Sequence, residues 1–395
     1  MTPRATAPTK AQTGLFYCPI APAVHPGVAA VAERSFAWLR QTGVCATERQ
    51  QKRAAASNGA EFYGRITPDG LEERLQIAAD WIYWAGFFDD TRCDEGPAAD
   101  RAGELTVVMG RLLRMLESLD ARLCHDDPCL LALYDLARRF AACATPVQYV
   151  RWVEAQRAWL FGVAVRRCLA ARPEPPGLDA YLTMRLPDAA GAPITAMIEI
   201  VNAREVPAAE MHSPRVRALS ELAAMIGALD NDRISRFKEM HADASDHTLI
   251  RVIMRERGVG EEAALAELVA LRDRMMCRFL VLRDRALPDA SPALRRYLDD
   301  LGHMIRGHID WSFGTARYHT LHGPGGSPAG GVSLEGGWAL APADDRPEAP
   351  PLPAIAWWWS PDLLGPSPAK AALGALPPPA PRRAPPPSES QGPLP

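Results

Sequence analysis

Apolar positions recur at helical spacing along most of the chain, while β-branched alternation of period two is nearly absent. The pattern predicts helices over Val28–Thr42, stopping near Gly43, and over Leu71–Asp90, Leu105–Leu123, Pro128–Ala142 and Gln148–Ala170. Further helices are predicted over Leu178–Asn202, Pro207–Met240, Thr248–Arg257, Glu261–Ala286 and Pro292–Tyr318. The breaks carry Pro, Gly and Asp: His125-Asp126-Asp127-Pro128, Arg172-Pro173-Glu174-Pro175-Pro176-Gly177 and Leu287-Pro288-Asp289. No linker-like stretch divides the helical part. These features predict an all-α protein with one helical domain over residues 14–322, although the length alone would allow two domains.

The ends differ in composition. Residues 1–13 are polar and Pro/Thr-rich and predict a flexible N-terminus. Of the 37 prolines, 19 lie in His322–Pro395, among them Pro377-Pro378-Pro379 and Pro385-Pro386-Pro387. Such a composition cannot continue a helical core and predicts a largely disordered tail over 323–395. One apolar island interrupts it, Ile355 to Trp359 with Leu363-Leu364. Three adjacent tryptophans do not stay in water, and docking on the domain surface is favoured over a partner-binding motif.

Charge and composition narrow the function classes. Forty-four basic against 47 acidic residues leave a net charge of −3, which argues against a nucleic-acid or anionic-membrane binder. The absence of a long apolar run argues against a transmembrane helix, and the polar start against a signal peptide, so the cytoplasm is the expected compartment. The eight cysteines are scattered without a C-x-x-C pair and read as reduced, mostly buried thiols.

Two segments carry candidate chemistry. The first is an aromatic helix that ends in acids, Trp81-Ile82-Tyr83-Trp84-Ala85-Gly86-Phe87-Phe88-Asp89-Asp90-Thr91-Arg92-Cys93-Asp94. Trp81, Trp84 and Phe88 share a face. The helix dipole opposes carboxylates at a helix C-terminus, and a bound divalent cation such as Mg²⁺ would offset that cost. A solvated acidic helix end is the alternative. The second segment is Asp230 to Glu239, in which Asn231, Ser235 and Glu239 are spaced i, i+4, i+8 and line one stripe. Amide, hydroxyl and carboxylate oxygens at that spacing can hold one hard cation, with Lys238 flanking. An exposed polar face is the alternative here.

Together the two segments resemble the bacterial class I terpene synthases (terpene cyclases). Asp89-Asp90-x-x-x-Asp94 looks like the family's aspartate-rich motif, and Asn231/Ser235/Glu239 like its second metal motif, with Lys238 before the glutamate. Arg185, 46 residues before Asn231, falls where the family has a diphosphate-sensing arginine; Arg317-Tyr318, 86 residues after it, looks like the family's Arg-Tyr pair. Phe16-Tyr17-Cys18-Pro19 is similar to the N-terminal segment. Two departures stand out: a third residue before the last aspartate of the first motif, and Arg233 where an aliphatic residue is usual.

The resemblance implies the class I antiparallel helical bundle, an acyclic prenyl diphosphate substrate and three Mg²⁺ ions. It implies Asp89 on two ions, Asn231, Ser235 and Glu239 on the third, and support from Asp90 and Asp94. Arg185, Lys238, Arg317 and Tyr318 would donate to phosphate oxygens, and Asp188 and Ala189 would act as linker and effector on a helix break. Trp81, Trp84, Phe87, Phe88, Trp311 and Phe313 are candidate walls for a carbocation, with plain core packing as the alternative. Farnesyl and geranylgeranyl diphosphate are both candidate substrates, and a homodimer stays open. A head-to-tail prenyl diphosphate synthase and a non-enzymatic helical scaffold are the competing functions.

Overall fold

The computed structural model describes residues 9–94, 102–239, 248–322 and 328–365, with the backbone alone at 9–12, 94, 102, 237–239, 320–322 and 328–332. A strand, β1 (Thr9–Phe16), precedes α1 (Val28–Thr42), α2 (Glu48–Ser57), α3 (Gly59–Ile66) and α4 (Glu72–Phe88). A π-helical turn, Asp89–Asp94, extends α4. There follow α5 (Ala102–Ser118), α6 (Pro128–Cys143), α7 (Pro146–Ala170), α8 (Leu178–Asp188), α9 (Gly191–Val201), α10 (Ala208–Met211) and α11 (Pro214–Glu239). The order continues with α12 (Leu249–Arg257), α13 (Glu261–Ala286), α14 (Pro292–Gly314), β2 (Thr320–His322), β3 (Pro328–Trp338) and α15 (Pro353–Ala356).

Local chemistry accounts for the helix ends. Gly43 takes a left-handed φ of 70° and stops α1. Thr145 and Gln148 form a reciprocal capping box ahead of α7, and Asp127 and Ser291 cap α6 and α14, each followed by a proline at the first helical position. Helix α11 packs against α8, α9, α13 and α14, and α4 against α1, α3, α6 and α9. The core they enclose is strongly aromatic, with Trp81, Trp84, Phe88, Phe140, Trp152 and Phe279 removed from solvent. No described helix is long and apolar enough to cross a membrane. The all-α bundle expected from the sequence is the fold observed.

Several boundaries differ from expectation. The stretch 178–202 is two helices, with the break where the resemblance put it, at Asp188 and Ala189: Pro187 cannot donate within the ladder and Ala190 adopts a left-handed φ of 58°. The stretch 207–240 is likewise interrupted before Pro214. Helices α2 and α3 lie in a segment with no predicted element.

The domain boundaries at 13 and 322 also move. Residues 9–13, expected to be flexible, belong to β1, which pairs in parallel with β3, while β2 pairs antiparallel with the other edge of β3. The two ends of the chain thus close on each other. Residues 339–365 continue along the bundle: Trp358 and Trp359 are buried, Arg278 Nε donates to the Trp358 carbonyl at 2.7 Å, and the Trp358 indole donates to Glu221 at 2.9 Å. The tryptophan island is therefore docked. The rest of the expected tail, 366–395, and the N-terminal residues 1–8 lie outside the described residues.

Candidate active site

The π-turn after α4 widens the helix just where Asp89 and Asp90 stand, and the two carboxylates diverge. Asp89 is 40% exposed and accepts from Arg166 Nη2 of α7 at 3.3 Å. Asp90 is nearly buried; Arg317 approaches both its oxygens at 3.3 Å, and Arg53 of α2 lies at 2.8 Å. The Asp90 charge holds the Arg317 guanidinium above its ordinary pKa, against the opposing effect of burial. Cationic side chains thus already compensate both acids.

The facing wall is built from α8 and α11. Arg185 donates to Asp232 Oδ1 through Nε at 3.1 Å and through Nη2 at 2.8 Å, and to Asn231 Oδ1 at 3.1 Å. Burial disfavours its charge, but Asp232, Tyr181 and Asp188 outweigh burial and raise its pKa. The Asn231 amide donates to the Tyr318 hydroxyl at 2.8 Å. Ser235, one turn on, is buried, and its Oγ has no hydrogen-bond partner among the described residues. The side chains of Asp94, Lys238 and Glu239 lie outside the described residues.

The carboxylates flanking Asn231 turn away from the site. Asp232 also accepts from the Tyr181 hydroxyl at 2.6 Å and the Leu249 amide at 3.1 Å, tying α8 and α12 to α11. Asp230 is fully buried between Arg272 of α13, at 2.9 Å, and Arg233, at 3.3 Å. This explains Arg233. It donates to the carbonyls of Thr13 and Leu15, each at 2.8 Å, and lies 3.7 Å above the Phe16 ring, fastening β1 to α11.

The helix break joins the two walls. Asp188 accepts from Arg166 Nε at 2.8 Å and stands 3.6 Å from Arg185 Nη1. Ala189 follows, and Ala190 holds a left-handed conformation that costs a non-glycine residue about 1–2 kcal/mol. A chain of polar contacts thus runs Asp89, Arg166, Asp188, Arg185, Asn231, Tyr318 and returns through the adjacent Arg317 to Asp90. Among the described residues no three His, Cys, Asp or Glu side chains are gathered into a preformed metal cluster. The oxygens are divided between two facing walls.

The candidate aromatic walls separate into groups. Trp84 and Phe88 stack at 5.2 Å, and Trp159 of α7 meets Trp81, Trp84 and Phe88 edge-on. Phe87 is half-buried. Trp311 lies edge-on to Tyr318 at 5.7 Å, its indole donating to the Ser57 and Asn58 carbonyls. Phe313 meets Phe16 at 5.6 Å.

Four participants were not singled out from the sequence: Arg53, Trp159, Arg166 and Asp232. Trp159, Gly162 and Arg166 are spaced i, i+3, i+7 and share a face of α7, a signal available in the sequence.

Residues 80–278 match the family described as terpene synthase family 2, C-terminal metal binding. Spiroviolene synthase from Streptomyces violens is 40% identical over 351 residues, covering 88% of this chain and 97% of that protein. The T-muurolol synthase of Streptomyces clavuligerus, named as farnesyl diphosphate cyclizing, is 32% identical, covering 87% of this chain and 81% of that one. The crystal structure of SVS_A2, a protein from ancestral sequence reconstruction, superposes with a TM-score of 0.78 at 40% identity, over 88% of this chain and 99% of that one. The chain belongs to the class I terpene synthase (terpene cyclase) family, lyases that act on prenyl diphosphates.

Proposed function

We propose that the protein is a Mg²⁺-dependent cyclase that ionises farnesyl or geranylgeranyl diphosphate and closes the carbocation to a sesqui- or diterpene with release of diphosphate. The observation that carries this is the ring of charged and polar contacts between the two walls, with one buried hydroxyl, Ser235 Oγ, left without a partner among the described residues. An unsatisfied buried hydroxyl costs about 1–3 kcal/mol and fits a ligand that arrives later. The donors are hard oxygens, as Mg²⁺ requires.

Asp89 would hold two ions, Asn231, Ser235 and Glu239 the third, and Asp90 and Asp94 would support the first site. When bound, the ions neutralise the diphosphate as its C–O bond breaks. The protein's own residues prepare that step. Arg185, Lys238, Arg317 and Tyr318 donate to phosphate oxygens, with guanidinium forks suited to bidentate recognition. Asp188 and the Ala189 carbonyl transmit seating of the diphosphate to the break. Trp81, Trp84, Phe87, Phe88, Trp311 and Phe313 supply ring faces and exclude water, each face attracting the cation by about 0.5–2 kcal/mol. The farnesyl-cyclizing relative supports the C15 substrate.

Purified protein should be incubated with C10, C15 and C20 prenyl diphosphates and Mg²⁺, with diphosphate release and hydrocarbon products followed by gas chromatography. A cyclic product from C15 or C20 is expected. Failure to release diphosphate from any of the three would overturn the assignment.

A further inference from the structure

Helix α7 touches the α8–α9 break at two points. Gly162 lies directly beneath it: a Cβ there would stand 2.4 Å from the Asp188 amide nitrogen and 2.6 Å from the Pro187 carbonyl carbon, both backbone atoms that cannot rotate away. Four residues later on the same face, Arg166 reaches Asp188 at 2.8 Å and Asp89 at 3.3 Å. Arg166 therefore joins the aspartate-rich turn to the break from a rigid helix, and its side chain is only 14% exposed.

Resting on the function proposed above, we infer that Arg166 is a positioning residue with two tasks. It fixes Asp188, and so the break, relative to the aspartate-rich turn. It also stands in for a cation at Asp89 while no metal is bound. A metal ion held by Asp89 would compete with the Arg166 guanidinium for the same carboxylate charge, so the Asp89–Arg166 contact would weaken on Mg²⁺ binding. The Asp188 contact is compatible with metal at Asp89 and keeps the break in place during that exchange. Gly162 contributes only to the first task, because it presents backbone clearance and no charge.

The two tasks separate in the measurements. Binding of Mg²⁺ with inorganic diphosphate is followed by calorimetry and tryptophan fluorescence, and turnover by kcat and KM. Arg166→Ala should bind Mg²⁺ about two- to fivefold more tightly, since one partly exposed ion pair no longer competes. Its kcat should fall about 10- to 100-fold because the break is displaced. Gly162→Ala should lower kcat similarly while leaving Mg²⁺ affinity at the wild-type value. Arg166→Lys keeps one charge but cannot bridge two carboxylates with a planar fork, so it should recover Mg²⁺ affinity and not kcat.

Circular dichroism checks that each variant folds, and Gly162→Ala carries the first task if Arg166→Ala does not. Unchanged Mg²⁺ affinity in a folded Arg166→Ala, or loss of affinity in Gly162→Ala, would overturn the inference. A wild-type protein that binds Mg²⁺ and diphosphate but ionises no prenyl substrate would instead count against the function alone.

Discussion

The two walls of the site handle charge in opposite ways. On the α4 side, Asp89 and Asp90 face the site and are matched by guanidinium groups from three other elements. On the α11 side, the acids Asp230 and Asp232 are tied into the fold, and among the described residues Asn231 and Ser235 offer an amide and a hydroxyl. Neighbouring residues of one motif, Asp230-Asn231-Asp232, therefore serve different ends. A motif rich in acids need not present them to a metal. On α11, Asp230 and Asp232 hold the helix in place so that Asn231 and Ser235 can be presented accurately.

Removing one acid from each wall tests that contrast most strongly. Asp89→Ala should abolish turnover, a loss of at least about 10³-fold, with the thermal midpoint near wild type, because Asp89 is partly exposed. Asp230→Ala should do the reverse. It leaves Arg233 and Arg272 fully buried without their counter-charge, which costs about 3–5 kcal/mol. Chemical denaturation and diphosphate release measured on both variants give the answer. If Asp89→Ala were the unfolded one, the walls would have been assigned the wrong way round.

The next effect in size concerns the closure of the two chain ends. Arg317-Tyr318, the last functional pair the sequence offers, precedes residue 323, so a chain cut after about Gly326 is expected to fold and cyclise its substrate, with lower solubility and unchanged chemistry if the tryptophan island docks. The structure revises that expectation. Such a cut removes β3, the middle strand that pairs with both β1 and β2, and the buried residues Ile355, Trp358, Trp359 and Leu363. β1 is what Arg233 grips, and Arg233 lies two residues from Asn231. The cut protein should melt about 5–10 °C lower and bind apolar dyes. A full-length melting point in the cut chain would show that the terminal sheet is ornamental to stability.

That sheet also marks where the sequence stops being legible. The bounds of α1 and α13 are read correctly because amphipathic spacing and end residues are local signals. The pairing of residues 9–16 with 332–338 depends on partners more than 300 positions apart, and the strands TKAQTGLF and PAGGVSLEGGW carry no clean alternation. Asp89, Arg185, Asn231 and Arg317 could be named from the resemblance of their motifs, and the structure links them through one chain of polar contacts. Arg53 could not, since its partner lies on another element and nothing local distinguishes it from a surface arginine, and for Arg166 the shared face with Trp159 and Gly162 was the one local signal. Arg233 was noticed as a departure, and its explanation lies in the backbone carbonyls of a strand that periodicity did not reveal.

Acid tests the interior behind the α11 wall. His308 of α14 is pressed against Phe62 and Trp311, and its Nδ1 has no partner among the described residues. Burial lowers its pKa to about 4; Asp230 opposes this, and the charges of Arg185 and Arg272 add to it. Between about pH 6.5 and 4 the unfolded chain binds a proton that the native chain refuses. This contribution to stability is complete above pH 6.5 and lost as pH falls toward 4, to the extent of about 2–3 kcal/mol. His308→Phe should flatten that part of the stability–pH curve. An equally steep curve in the variant would assign the acid sensitivity to other groups.

The smallest expected effect separates a ligand from a structural residue at Ser235. A buried hydroxyl without a partner is a burden on the folded state, worth about 1–3 kcal/mol in the extreme. If Ser235 is kept for packing, Ser235→Ala removes that burden, adds helix propensity and changes nothing else. If it is kept as an oxygen donor beside Asn231, the same substitution still relieves the fold but leaves a hard cation one ligand short. The amide of Asn231 and the carboxylate of Glu239 would remain, so binding should weaken about tenfold rather than vanish, about the worth of one neutral donor. The expected pair of results is a melting temperature equal to or slightly above wild type and a half-saturating Mg²⁺ concentration about tenfold higher. Excess Mg²⁺ should then restore turnover. An unaltered Mg²⁺ requirement, with a melting temperature equal to or above wild type, would make Ser235 a core residue, and the α11 wall would then present Asn231 as its single neutral ligand.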